Sequence, residues 1–488
     1  MSQDVRLLEP IVLWNHFADL NAVPRPSKKE ERVIQFMMDF GKSLGLETIK
    51  DSRGNVIIKK PATPGMENRQ TVILQSHLDM VHQKNSDIEF DFENQGIEMY
   101  VEGDWVKARG TTLGADNGIG VAAIMALLSS DNEDIKHPAL EALFTVDEET
   151  GMTGAMHLDG SLLSGTILLN LDTEDDDELC IGCAGGIDTN AYLDYTPESA
   201  HQPMDGYSLR VFGLKGGHSG MDINKGRANA NKLMNRLIYG ADQKFGLRVA
   251  SIDGGSSRNA IPRESQAYVV VNPDCCAAFE KHVAELWREF QSEFRSSEPD
   301  LMVSIEKTEV PNAFLPIEIQ KKLVNAIYAV HNGVYRMHAD IPGLVETSSS
   351  LARVFAKDGK ILIQALQRSS GESTKMDVAN TVRAALENAG MSVEQGGSYP
   401  GWQLPTESAL LELMSGLYKE IFNAEPNIQA CHAGLECGIL SKHLPNTDMI
   451  SFGPNIRHAH SPDECVQISS VKKFWSFLCT TLEEIPVR

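Results

Sequence analysis

Five places in this 488-residue chain set a histidine or a carboxylate at the edge of a short apolar run. Val72-Ile73-Leu74-Gln75-Ser76 leads into His77-Leu78-Asp79, and Asp116 stands just ahead of the apolar stretch 119–128. Leu143-Phe144-Thr145-Val146 leads into Asp147-Glu148-Glu149, and Ile167-Leu168-Leu169-Asn170-Leu171 into Asp172. Met449-Ile450-Ser451-Phe452 is followed eight residues later by His460. Imidazoles and carboxylates are the ligands of hydrolytic metal pairs, which lower the pKa of water and polarise a carbonyl. In H-x-D, the carboxylate can fix the second ring nitrogen of a ligating histidine. Of two adjacent glutamates at a strand end, one can turn to a metal while the other takes a proton from water beside it. These types and spacings point to metal-assisted hydrolysis.

Such residues need a scaffold that brings distant segments together. Short apolar runs read as strands of a buried parallel sheet, and ligand sites of open α/β sheets lie just past their carboxyl ends. Residues 33–40 have helical apolar spacing, residues 55–59, 71–75, 142–146 and 167–171 read as strands, and a helix follows Asp116. This alternation predicts an α/β fold with a largely parallel central sheet flanked by helices. Gly182-Cys183-Ala184-Gly185-Gly186 reads as a flexible hinge. Beyond it, strands at 207–212, 266–271 and 360–365 alternate with helices at 277–294 and 317–329, which suits a two-layer α+β insert. Gly396-Gly397-Ser398-Tyr399-Pro400-Gly401 reads as the return hinge. The expected organisation is a discontinuous catalytic domain, 1–186 and 398–488, interrupted by an inserted domain, 187–397.

Composition removes other classes. A formal charge of −23 argues against nucleic acid or an anionic membrane as the main partner. No apolar run reaches the ~18 residues of a membrane span. Met1-Ser2-Gln3-Asp4-Val5-Arg6 lacks the pattern of a secretory signal, so a cytoplasmic location is expected. In the acidic run 172–178, only Asp172 continues an apolar strand, and the other six residues read as solvated. Eight cysteines in a chain this long are too few for a disulfide scaffold. The Cys180-x-x-Cys183 pair lacks the further ligands of a zinc site, so reduced structural thiols are expected. The glycines around Asp116 lack G-x-G-x-x-G spacing, which excludes a dinucleotide fingerprint. A helix cap is the competing role for Asp116, and His458 competes with His460.

Taken in order, His77/Asp79, Asp116, Glu148/Glu149, Asp172 and His460 with Glu464 four residues on resemble the co-catalytic zinc metallopeptidases. That family includes aminoacylases, glutamate carboxypeptidases and bacterial dipeptidases. Gln75-Ser76-His77-Leu78-Asp79-Met80-Val81, Gly216-Gly217-His218-Ser219-Gly220, Arg258-Asn259-Ala260-Ile261-Pro262 and Cys431-His432-Ala433-Gly434-Leu435-Glu436 carry the similarity over nearly the whole chain. The resemblance implies His77, Asp116 and Asp172 on one ion and Asp116, Glu149 and His460 on the other, with Asp116 bridging. Its H-x-x-x-E pattern selects His460 over His458. It implies two divalent cations, zinc first and cobalt or manganese as alternatives. Asp79 would orient His77, and Glu148 would be the general base for attack by water and then proton donor to the leaving amine. The insert would be a lid domain, in which His218 would stabilise the oxyanion while Asn259 and Arg368 would position substrate, Arg368 suiting a carboxylate. The implied activity is hydrolysis of dipeptides with broad specificity, Xaa-His and β-alanyl-histidine included, by a homodimer. Hydrolysis of N-acyl amino acids on the same metal core is the alternative. A catalytically silent protein on this fold is disfavoured, because Glu148 and every ligand type are present. Glu436 receives no role.

Overall fold

The computed structural model describes residues 4–85, 87–130, 135–199, 203–339, 341, 343–402, 408–432 and 434–487. Met1-Ser2-Gln3 and Ala433, which belong to segments quoted above, lie outside them. The chain divides into two compact units: Met1–Gly182 with Leu404–Ala430 and Leu435–Arg488, and Cys183–Gln403 with Cys431–Gly434. Among the described residues, no helix is long and apolar enough to cross a membrane.

The first unit is built on eight strands: β1 (Glu47–Lys50), β2 (Val56–Lys60), β3 (Val72–His77), β4 (Leu140–Thr145), β5 (Ile167–Asn170), β6 (Glu178–Cys183), β7 (Asn427–Cys431) and β8 (Asp448–Ser451). Their order across the sheet is β1-β2-β4-β3-β5-β8-β6-β7. Pairing is parallel through the middle, β4-β3-β5-β8. It turns antiparallel at β1-β2, β2-β4 and β8-β6. Parallel character is therefore confined to the strands that are covered on both faces. All six residues of β3 and of β4 are buried, as are all four of β5, which is why these strands read as continuous apolar runs rather than alternating ones.

The helix Ala115–Ser129 is buried from Asn117 to Leu128 and shares one core with Trp14 and Phe17 of the helix Ile11–Asn21. It lies close against the sheet. A Cβ on Gly120 would come 2.5 Å from Ser76 Oγ and 2.6 Å from the Leu171 carbonyl oxygen, so only glycine permits this approach. A small four-stranded sheet places Ile456–Arg457 antiparallel to Cys465–Gln467, closing the loop that carries His460 and Glu464.

The second unit is a sheet of nine strands with antiparallel pairing throughout. Buried residues of the helices Ala230–Phe245, Cys276–Glu293, Ile317–Ala329 and Glu372–Asn388 join one hydrophobic core with the strands. The helices supply one layer and the sheet the other.

The glycine-rich segments expected to be flexible hinges are regular structure. Strand β6 runs through Cys183, and the strand Gly185–Asp194 begins two residues later. The strand Ser392–Tyr399 pairs with it, Tyr399 opposite Gly186. A Cβ on Gly185 would lie 2.4 Å from the Gly401 nitrogen, and one on Gly186 would lie 2.6 Å from the Tyr399 ring. These glycines serve close packing of two strands, and composition alone does not separate that use from flexibility. The division between units accordingly falls at 182/183 and 403/404, where the sequence suggests 186/187 and 397/398.

Candidate functional site

Register explains why the candidate residues of the first unit meet. His77, the last residue of β3, lies opposite Thr145, the last of β4, and Gln75 lies opposite Asn170, the last of β5. Asn170 in turn pairs with Ser451, the last of β8. The segments leaving these four strands therefore emerge at one edge of the sheet and carry His77, Glu148/Glu149, Asp172 and His460.

Asp116 sits among them. Its Oδ1 is 3.2 Å from His77 Nε2 and its Oδ2 is 3.1 Å from His460 Nε2, so one carboxylate faces both rings. Asp172 Oδ1 is 3.5 Å from His77 Nε2, and Glu149 Oε2 is 3.0 Å from His460 Nε2. Two sets result, His77–Asp116–Asp172 and Asp116–Glu149–His460, each with ligand atoms within 4.8 Å of one another. Glu148 joins His77 and Glu149 in a further set of the same span. Asp116 does not cap the helix through its side chain, because its carboxylate is engaged by the two histidines. The ring that reaches Asp116 and Glu149 belongs to His460 rather than His458.

The backbone around these side chains is held by buried charges. Asp79, fully buried, lies 3.4 Å from His77 Nδ1 through Oδ1. It also accepts the Glu148 N–H at 2.9 Å and the Glu149 N–H at 3.2 Å. Glu464, 2% exposed, accepts four successive backbone N–H groups: Leu113 (2.7 Å) and Gly114 (3.0 Å) on Oε2, Ala115 (2.7 Å) and Asp116 (3.2 Å) on Oε1. Arg25, 1% exposed, takes the carbonyl side of the same loop, donating to Gly114 O at 2.6 Å as well as to Leu78 O and Asp79 O. Loop 113–116 is gripped by an anion at its N–H groups and by a cation at its carbonyl.

The charge balance shows what the site lacks in protein groups. Burial raises the Glu149 carboxyl to about 7, with Asp116 adding to the effect. Burial likewise pushes Glu148 well above the ordinary glutamate range. Hydrogen bonds to Asp116 and Glu149 raise His460 to about 11. Asp116 is held low despite its burial by His460 and His77. Among the described residues, Glu149 Oε1 and Asp172 Oδ1 are buried without a hydrogen-bond partner. Carboxylates converging in a buried space repel unless a cation compensates them. Two imidazoles, a carboxylate shared between them and two orphaned carboxylate oxygens form a donor set that fits a pair of divalent cations.

The second unit assembles its own cluster. Arg368, 3% exposed, donates through Nη1 to Tyr399 Oη at 2.8 Å and through Nη2 to Asn259 Oδ1 at 3.2 Å. His218 Nε2 lies 3.4 Å from Arg368 Nη2. The N–H groups of Gly220 and Met221 donate to His218 Nδ1. No ion pair to Arg368 occurs among the described residues, and burying a guanidinium without an anion is unfavourable. The cluster thus offers an anion site. His432, beside Ser348 at 2.7 Å, is held neutral, pushed down to about 3 by burial together with Arg368 and His218.

Several residues of these sites escape a reading of spacing. Tyr399 lies in a segment that reads as a turn. Arg25 has no local motif, and the four-donor cradle of Glu464 depends on a loop 348 or more residues away. Glu174, expected to be solvated, is half-buried and pushed up to about 8 by burial, with Asp116 adding. Asp175 pairs with Arg457 at 2.6 Å and Asp176 with Lys473 at 2.7 Å. A run of acids inside a globular chain gives no sign of which members turn inward. Glu436 is fully buried, its Oε2 receiving Gln75 and Thr145 at 2.6 Å each, and burial raises it to about 7. None of the eight cysteines is joined in a disulfide.

Comparison with known proteins places this geometry. Residues 73–484 match the model of peptidase family M20/M25/M40. The chain is 41% identical over 481 residues to the cytosol non-specific dipeptidase of Escherichia coli (strain K12), covering 99% of each chain. The crystal structure of aminoacylhistidine dipeptidase from Vibrio alginolyticus superposes with a TM-score of 0.90 at 41% identity, over 100% of this chain and 99% of that one. Aminopeptidase PepT from Bacillus cereus, 16% identical and covering 98% of this chain and 99% of its own, shares the fold with a TM-score of 0.57.

Proposed function

This chain belongs to peptidase family M20/M25/M40, and from that premise we propose that it hydrolyses the peptide bond of dipeptides with broad side-chain tolerance, Xaa-His and β-alanyl-histidine included. The names of its two 41%-identical relatives, a non-specific dipeptidase and an aminoacylhistidine dipeptidase, support that substrate class. His77, Asp116 and Asp172 would hold one divalent cation, and Asp116, Glu149 and His460 the other. Mixed imidazole and carboxylate donors suit zinc and also accept cobalt or manganese. Bound there, the cations would polarise the peptide carbonyl and lower the pKa of water.

The chain's own groups do the rest. Glu148 takes the proton of the attacking water and passes it to the leaving amine nitrogen. Asp79 fixes the His77 ring from behind and holds the Glu148 amide, keeping ligand and base in one frame. His218 would stabilise the oxyanion of the tetrahedral intermediate. Arg368, steadied by Asn259, binds the free carboxylate of the substrate. A dipeptide offers little beyond its two charged ends, so affinity without side-chain selectivity must come from groups of this kind.

The observation that carries this reading is the single Asp116 carboxylate facing both histidines, with the buried orphan oxygens of Glu149 and Asp172 beside it. Metal content together with rates on free dipeptides, N-acetyl amino acids and N-blocked tripeptides tests it. Two divalent ions per chain and preferential cleavage of free dipeptides are expected; faster cleavage of N-acetyl amino acids overturns the substrate class. A cytosolic location accords with the name of the Escherichia coli relative. A homodimer belongs to the same reading, and sedimentation equilibrium reads it directly.

A further inference from the structure

The turn that carries Glu148 and Glu149 has an unusual backbone. Asp147 before it and Met152 after it are both left-handed, with φ of 59° and 51°. Non-glycine residues adopt this region only where surrounding contacts hold them there. The holding group is the Asp147 carboxylate, 4% exposed, which receives the hydroxyls of Thr150 and Thr153 and the ammonium of Lys28. Lys28 is itself left-handed, with φ of 71°.

Asp147 does not stand alone. Oxygen atoms of Glu30, Asp79 and Asp147 lie within 4.8 Å of one another, and all three residues are buried. Asp79 holds the turn from the other side through the Glu148 and Glu149 N–H groups. Burial raises Glu30, with Asp79 and Asp147 adding to the rise. Three carboxylates this close repel unless a cation faces them. Arg25 is near, but its guanidinium donates to backbone carbonyls and Asn21 rather than to these acids. Lys28 supplies the ammonium.

We propose that Lys28 is a positioning residue for the general base: through Asp147 it locks the strained turn that aims Glu148, without touching substrate or metal. The inference rests on the assignment of Glu148 as base made above. Without Lys28, Asp147 and Asp79 repel, the left-handed backbone relaxes, and the Glu148 amide loosens its hold on Asp79. The ligand set reaches the cations from other segments as well, so metal binding survives while aim is lost. A misplaced catalytic group of ~1 Å costs on the order of 100-fold in rate.

The test uses the metal-loaded full-length enzyme as wild type, K28M and K28R. On a free dipeptide, K28M should lose ~10–100-fold in kcat, with KM and metal stoichiometry close to wild type. K28R should recover most of the loss, since Lys28 borders a cavity of about 390 Å³ with Ser27, His82, Phe90 and Phe92, which leaves room for the larger head. Amide hydrogen exchange at Glu148 and Glu149 should quicken in K28M and return in K28R. A K28M enzyme with wild-type kcat and exchange overturns the proposal, as does a loss of activity that tracks loss of metal or of the whole fold. Exchange reads the lock whatever the substrate. A wild type inert on dipeptides would therefore count against the function proposed above, while the exchange comparison still decides the role of Lys28.

Discussion

Replacing Glu464 with glutamine changes one atom of a buried side chain and should disable the first unit's site from beneath. Four consecutive N–H groups converge on the Glu464 carboxylate, two on each oxygen, at 2.7–3.2 Å. In E464Q, whichever way the amide turns, an NH2 group faces two of those donors. Two charge-assisted hydrogen bonds are lost, at ~1.5–3 kcal/mol each, and the surviving pair weakens to neutral strength, ~0.5–1.5 kcal/mol each. A neutral amide is easier to bury than a carboxylate, which offsets part of that loss. The net is ~3–5 kcal/mol, against a typical domain stability of ~5–15 kcal/mol. Arg25 still grips the Gly114 carbonyl, so the loop is expected to loosen rather than the unit to unfold. Asp116 is the last residue of that loop, and its carboxylate faces both histidines. If half of the loss falls on ordering the loop for metal, affinity drops ~10–60-fold, since ~1.4 kcal/mol is tenfold. Competition with a chelator of known affinity measures the metal term, and urea denaturation of the apoprotein measures the folding term. A variant that binds metal and unfolds within ~0.5 kcal/mol of wild type refutes the reasoning, because ordinary surface changes fall in that range.

Other expectations are more direct. E148A should keep its metal and lose ~100- to 10,000-fold in kcat, the usual contribution of a positioned base; retained turnover would remove Glu148 from the mechanism. R368K should raise KM for free dipeptides while leaving KM for dipeptide amides nearly unchanged, because the amides have no terminal carboxylate to clamp; equal effects on both would contradict that role. G120V should destabilise by ~3 kcal/mol or more or fail to fold, since its Cβ meets Ser76 Oγ and the Leu171 carbonyl within 2.6 Å; thermal melting reads this, and an unshifted midpoint would be contrary. His432 is neutral when folded, held down at about 3, whereas the unfolded chain takes up a proton below ~6.5. Stability of the second unit should therefore fall by ~1.4 kcal/mol per pH unit from ~6.5 down to ~3 on account of this one group. H432Q should remove that slope, as followed by denaturation at several pH values.

The sequence by itself placed the candidate chemistry at strand ends. Apolar runs such as 72–74 and 167–169 read as buried strands, and a histidine or an acid directly after one then falls at a sheet edge. The alternation of such runs with helices made the first unit α/β, and the strands and helices beyond the glycine-rich segment at 182–186 suited a two-layer α+β unit. Local order also separated Asp172, which continues a strand, from the acids after it. What spacing left open was decided by contacts across hundreds of residues. Asp116 is a metal-site candidate rather than a cap because two rings from distant loops meet its carboxylate. Glu174 turns inward although Asp175 beside it pairs with Arg457 at the surface. Gly185 and Gly186 are strand residues because Tyr399 and Gly401 press against them, and Glu464 and Arg25 matter only through a loop neither adjoins. Periodicity and chain order reflect local burial, which one segment's sequence encodes. Which buried charges face one another depends on register and crossover, and these exist only once the sheet has closed.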